Sequence, residues 1–280
     1  MLLCPERGLE EDDVSSQSSF DAWNAGKSYE HYMGRWSRLV ASRFLGWLDP
    51  DKDADWLEVG CGTGALTSAI LRDCSPMSLL ATDPSSDFVD HARARDTDPR
   101  ARFEVATAQD LPAKDGTIDV VTSALVLNFV PDRRAGLVEM QRVLRPGGTI
   151  SFYVWDYPGG GIGFIDAFWK AAVSLDPKAA ELDEAARFPF CSADGLAALC
   201  AEAGIGNAEI VPVEVVTEFP DFEAFWHPFT LGAGPAPGYC MSLQEDRREM
   251  LKSRLARTLG SDGPVRLTAR AWAMKAKVAG

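Results

Sequence analysis

No two of the six cysteines, Cys4, Cys61, Cys74, Cys191, Cys200 and Cys240, form a Cys-x-x-Cys pair. That absence excludes a zinc knuckle and a redox dithiol, and scattered thiols suit a reducing compartment. Histidine is scarce: His31, His91 and His227 are dispersed, so no metal site is expected. Basic residues are outnumbered, 28 Lys and Arg against 41 Asp and Glu, for a formal charge of −13. A nucleic-acid partner is not expected, because phosphate contacts need cations. No apolar run reaches membrane-spanning length, so no membrane insertion is expected. The N-terminus has no basic stretch followed by an apolar core, so no secretory signal is read. Together these absences predict a cytoplasmic protein; a monomer or homodimer is the expected assembly.

What is present is ample apolar material, 46% of 280 residues, enough for one α/β domain with inserted cap segments. Residues 1–19, with Glu10-Glu11-Asp12-Asp13 and a serine run, read as a disordered leader. A helical, aromatic segment follows over 20–50 and ends at Asp49-Pro50. Strands are then predicted at 55–60, 78–82, 102–106, 118–124 and 149–155, with helices at 65–73, 86–95 and 132–144. This alternation indicates parallel strands joined by helical crossovers. The rhythm breaks after Asp156 at the hinge-like Pro158-Gly159-Gly160-Gly161. Helices near 163–175 and 192–203, a strand at 211–217, a charged helix near 242–259 and a last strand at 265–274 complete the pattern. Residues 157–190 and 218–263 are the cap insertions, the second holding an apparent loop at 234–238. Residues 20–280 form one domain in this reading.

Leu57-Glu58-Val59-Gly60-Cys61-Gly62-Thr63-Gly64 carries the most information. Alternate glycines let the backbone turn tightly and let a ligand lie against bare main chain. Asp83 follows at the end of the next apolar run, where a carboxylate suits ribose hydroxyls. The pattern predicts a nucleoside site. By itself it also fits a nicotinamide-dinucleotide oxidoreductase, or a non-catalytic module that keeps a nucleoside crevice to regulate a partner.

Other segments narrow this choice: Gln109-Asp110-Leu111-Pro112, Ser123 to Phe129, and Val143 to Thr149. With the glycine loop and Asp83-Pro84, they resemble the class I S-adenosylmethionine-dependent methyltransferases, in the small-molecule branch that includes ubiquinone/menaquinone-biosynthesis-like enzymes. The resemblance is good over about residues 20–155 and loose beyond. It implies a Rossmann-like, doubly wound, seven-stranded, mostly parallel sheet with an antiparallel last strand and helical cap insertions.

The resemblance also implies S-adenosyl-L-methionine as cofactor and a small-molecule methyl acceptor. Gly60, Cys61, Gly62 and Gly64 would pass beneath the methionine and ribose, with Glu58 organising the loop. Asp83, beside Pro84, would hold the ribose hydroxyls. Asp110, with Gln109 nearby, would accept from the adenine amino group. Leu125 and Asn128 would lie near the methionine end. Tyr32 and Arg35 would close over the site, Arg35 pairing with the cofactor carboxylate.

A sulfonium methyl is already electrophilic, so proximity and orientation carry much of the reaction, and a base is needed only when the acceptor holds a proton. His227, with an unperturbed pKa near neutrality, and Asp156 are the candidate bases. The acceptor lining is expected from Trp155 to Tyr157 and from the aromatics of residues 164–169 and 219–229. Methyl transfer to oxygen is the expected chemistry, ahead of nitrogen and carbon.

Overall fold

The computed structural model describes residues 30–232 and 234–279. The leader at 1–19, the residues up to 29 and the His31 side chain lie outside that description. Seven strands form one sheet: β1 (Asp55–Val59), β2 (Ser78–Asp83), β3 (Ala101–Val105), β4 (Ile118–Ala124), β5 (Leu144–Trp155), β6 (Glu209–Phe219) and β7 (Val265–Lys277). Their order is β3-β2-β1-β4-β5-β7-β6. The first five are parallel, and β7 runs antiparallel between β5 and β6. This is the Rossmann-like, mostly parallel sheet with an antiparallel last strand that the resemblance implies, and it departs from the six-strand 3-2-1-4-5-6 order of dinucleotide-binding folds.

Burial explains the strand chemistry. Trp56 to Val59 and Val120 to Ser123 are buried on both faces, as inner parallel strands require. The edge strand β6 alternates, with Val213, Val215, Thr217 and Phe219 inward and the residues between them exposed. On β7, Ala269, Ala271 and Ala273 are fully buried.

Helices α1 (Arg35–Leu48), α2 (Ala65–Asp73) and α3 (Ser86–Arg95) cover one face of the sheet. Phe44 and Ile70 pack there with Trp56 and Leu79, and Val89 and Ala92 pack with Ala81 and Phe103. Helix α4 (Arg133–Val143) covers the other face with a later helix, Ala193–Glu202, burying Leu137, Met140 and Leu196 against Leu57, Val121 and Ile150. Side chains start these helices: Ser85 accepts the Phe88 amide at α3 and Asp132 the Ala135 amide at α4.

The two insertions hold α5 (Gly163–Leu175) and α6 (Glu184–Arg187), then α8 (Phe222–Trp226), α9 (Pro235–Ser242) and α10 (Glu245–Leu259), with α7 the sheet-covering Ala193–Glu202 helix between them. The apparent loop at 234–238 is instead the entry of α9. Pro235 and Pro237 fall in its first turn, where a missing N–H costs nothing. The strand predicted from 149 begins at Leu144, with a register irregularity opposite Ile118 and Val120.

Candidate functional site

The order of strands reverses between β1 and β4, and a cleft of about 330 Å³ opens there, beyond the carboxyl ends of β1, β2, β4 and β5. Its floor is the loop after β1. The Gly60 and Cys61 amides both donate to the Thr82 carbonyl at 2.8 Å, and Gly64 turns back to Cys61 at 2.9 Å. Gly60, Gly62 and Gly64 all have φ between +51° and +82°. A Cβ on Gly60 would fall on the Val126 side chain, whereas one on Gly62 would meet nothing within 4 Å. Gly62 therefore leaves bare main chain facing open space.

Asp83 ends β2 and faces this loop. Its Oδ2 accepts the Gly62 amide at 3.0 Å and its Oδ1 the Ser85 amide at 2.9 Å. Burial raises its pKa, and those two amides oppose the rise. Glu58 is fully buried and lines the same cleft. Thr67 donates to its Oε2 at 2.5 Å, while Oε1 has no partner among the described residues. Burial pushes the Glu58 pKa up to about 7. The Cys61 thiol also lines the cleft and is driven up by burial and the two carboxylates, so it stays neutral.

Leu125 closes the β4 side. Its φ is +61°, an uncommon conformation for a branched side chain, and its amide donates to the Tyr153 carbonyl at 2.8 Å. Pro84 lines the main cleft and also a second hollow that contains Asp110. Asp110 is exposed, and Gln109 is half-buried beside it. Asn128 is buried, and its amide nitrogen has no partner among the described residues.

The structure thus gathers Glu58, Gly60, Cys61, Gly62, Asp83, Pro84 and Leu125 on one cleft. Tyr32 and Arg35 are not in its lining. Met33 and Ser37, one helical turn apart, face the cleft, which turns Tyr32 and Arg35 toward the cap. Tyr32 packs edge-on against Phe164 and Phe229. The Arg35 guanidinium stacks over Trp36 at 4.1 Å and Phe219 at 4.7 Å.

Neither candidate base lines the cleft. His227 is exposed at the start of a 3₁₀ turn following α8. Asp156 is buried, but its Oδ2 is taken by Arg270 at 2.6 Å and its Oδ1 by the Gly159 amide at 3.0 Å. Arg270 also binds this loop through its main chain, at the Gly161 carbonyl and the Asp156 amide. Asp156 thereby latches the glycine-rich segment to β7. The expected hinge at 158–161 is a pinned turn.

The aromatic cluster expected to line the acceptor site is core. Phe168 stacks on Phe229 at 4.5 Å, and Phe219, Phe225 and Phe164 pack around them, all almost fully buried. From the predicted lining, Trp155 and Tyr157 do reach the cleft. They are joined by Phe88, Phe129 and Tyr153, which the sequence reading did not single out as lining. These come from separate elements, so no local periodicity marks them.

Residues 57–152 match the family model described as "Methyltransferase domain". The chain is 27% identical over 231 residues to a malonyl-[acyl-carrier protein] O-methyltransferase of Geobacter sulfurreducens, covering 81% of this chain and 84% of that protein. It is 32% identical over 155 residues to the 27-O-demethylrifamycin SV methyltransferase of Amycolatopsis mediterranei, covering 49% and 55%. The chain spans 30 to 38% of the length of the first three curated relatives it matches. Its fold is similar to that of a Haemonchus contortus phosphoethanolamine N-methyltransferase solved with S-adenosylhomocysteine, at TM-score 0.53 and 14% identity, covering 90% of this chain and 56% of that one.

Proposed function

We propose that this chain is a class I S-adenosylmethionine-dependent methyltransferase of the small-molecule type, and that it transfers the sulfonium methyl of S-adenosyl-L-methionine to a small, apolar or ring-bearing acceptor, at oxygen. The observation that carries the reading is the Gly62 amide bound to Asp83 across an open cleft whose far wall is aromatic.

The residues present fit the cofactor. Gly62 offers main chain that no Cβ obstructs, and the free Oε1 of Glu58 lacks a donor that an α-ammonium group supplies. Asp83 keeps acceptor capacity on both carboxylate oxygens for a ribose. Pro84 leads from the cleft to the hollow of Asp110, the proposed adenine end, with Gln109 beside it. Gly60, Cys61 and Leu125 shape the floor and side, Gly64 turns the loop back onto Cys61, and Asn128 follows with a buried amide nitrogen that has no partner among the described residues. Tyr32, Arg35, His227 and Asp156 have no direct role in this proposal.

When bound, the cofactor supplies a methyl group already activated by its sulfonium. The protein's part is to hold the acceptor in line with it and to exclude water. The lining is mostly apolar, and Phe129, Trp155 and Tyr157 supply flat surfaces that fix a ring's orientation at low entropic cost. The names of both curated relatives contain O-methylation, which supports oxygen as the accepting atom.

Isotope-labelled S-adenosylmethionine incubated with the protein and a metabolite extract, followed by mass identification of the labelled product, tests the activity. Calorimetric titration with S-adenosylhomocysteine tests the cofactor separately. Tight dinucleotide binding without any response to S-adenosylhomocysteine overturns the proposal.

A further inference from the structure

The charge around the cleft is one-sided. Two carboxyl groups, Glu58 and Asp83, line it, and no Lys, Arg or His does so among the described residues. The arginines nearest in sequence to its walls are committed elsewhere. Arg35 stacks on Trp36 and Phe219, and Arg133 stacks on Phe190 at 4.2 Å while donating to the Leu127 carbonyl. Arg95 donates to the Thr63 carbonyl at 3.3 Å. Arg187 stacks on Phe188 at 5.0 Å, and Arg270 holds Asp156.

Behind the aromatic wall stands a third acid. Phe188 packs against both Phe129 and Tyr157, at 5.8 and 5.7 Å, and one turn earlier on α6 is Glu184. Glu184 is 3% exposed, with the Trp169 indole N–H donating to its Oε2 at 2.5 Å. An anion entering this surrounding loses its water and finds no Lys, Arg or His lining the cleft among the described residues.

We propose that the methyl acceptor enters the cleft uncharged at the reacting end, as a ring-bearing alcohol or phenol, and that carboxylates are rejected. The proposal rests on the methyltransferase reading and narrows it. Selection comes from two sources: the wall of Phe129, Trp155 and Tyr157 takes the ring face, and a lining without Lys, Arg or His among the described residues leaves an anionic competitor of equal size desolvated with no counter-charge from the protein. In the transfer the acceptor oxygen forms the new bond to the methyl carbon. The carbon–sulfur bond breaks with its electron pair on sulfur, and the hydroxyl proton leaves to solvent or buffer.

The test uses the full chain at neutral pH and two probes of matched shape, 1-naphthol and 1-naphthoate. With the protein saturated by S-adenosylhomocysteine, calorimetry is expected to show 1-naphthol binding at least about tenfold tighter than 1-naphthoate. Tyr157→Ala, and independently Phe129→Ala, is expected to weaken 1-naphthol about tenfold and leave S-adenosylhomocysteine binding intact. Equal or tighter binding of 1-naphthoate overturns the inference. So does absence of 1-naphthol binding to protein that binds S-adenosylhomocysteine, or labelled methyl transfer to malonyl-coenzyme A. Failure to bind S-adenosylhomocysteine at all overturns the cofactor reading, and this inference with it.

Discussion

The main-chain amide of Gly62 donates to Oδ2 of Asp83 at 3.0 Å, joining the loop after β1 to the end of β2. Ser85 holds the other oxygen at 2.9 Å and also caps α3 through its own hydroxyl. One carboxylate thus fixes the cradle's position and the start of the next helix while facing the cleft.

Replacing Asp83 with Ala is expected to weaken S-adenosylhomocysteine binding by about 1–3 kcal/mol, through lost ribose hydrogen bonds and a loosened Gly62. Calorimetry on the folded variant reads this directly. Unchanged affinity removes Asp83 from the nucleoside site.

Gly60 and Gly62 separate packing from ligand clearance. Gly62→Ala puts a methyl group into open space at φ +51°, so its expected stability cost is only about 1 kcal/mol. Its cofactor affinity is expected to fall at least about tenfold, because the methyl occupies the proposed ligand surface. Gly60→Ala drives a methyl into Val126 and is expected to cost more in a denaturant melt than Gly62→Ala does.

Glu58 links folding and binding to pH. Burial lifts its folded pKa to about 7, above the ordinary carboxylate value of about 4.5. An acid raised in this way contributes its full stability below the unfolded pKa and loses it as pH rises through the folded one. The wild type is therefore expected to lose up to about 3 kcal/mol from this group between roughly pH 5 and pH 8. Glu58→Gln is expected to flatten that window, as chemical denaturation across pH reports. Pairing of the ionised carboxylate with the cofactor's ammonium is expected to release a proton near pH 6, seen as a buffer-dependent binding enthalpy.

Asp156→Ala removes the partner of Arg270 at the turn that carries Tyr157. A loss of about 2–4 kcal/mol in stability is expected, toward the low end because Arg270 is 31% exposed and keeps water. S-adenosylhomocysteine affinity is expected to change little, since Asp156 is outside the cleft lining. The measurement is a denaturant midpoint beside a binding isotherm.

His227→Phe is expected to leave stability within about 0.5 kcal/mol and labelled methyl transfer unchanged, because the imidazole is exposed. Loss of turnover in this variant would return His227 to the reaction.

Local chemistry was legible wherever one segment contained its own signals. Helices 65–73, 86–95 and 163–175 and strand 118–124 have the bounds the sequence predicts. Glycine at 64 and serine at 85 mark two of those helix starts, and Asp83 meets the glycine cradle as its position at the end of an apolar run suggested. Less legible was which face each aromatic shows. Phe164, Phe168 and Phe229 have the composition of a ligand lining but interlock as core, because α5 and the 3₁₀ turn after α8 pack on each other. Phe88, Phe129, Met33 and Tyr153 line the cleft from four separate elements, a convergence that only the sheet order creates. Tyr32 and Arg35 fall outside the cleft lining for the same reason: they sit one and two residues round the helix from Met33, which lines it with Ser37.

The strand that seals the sheet is the last to be synthesised. β5 pairs with β7 across more than a hundred intervening residues, and Arg270 on β7 pins the turn bearing Tyr157. A growing chain can complete the glycine floor long before it can complete the aromatic wall. Until residues 265–277 emerge from the ribosome, β5 has one bare edge, open to pairing with a neighbouring nascent chain. The proposed acceptor wall thus matures late, and the proposed nucleoside floor early.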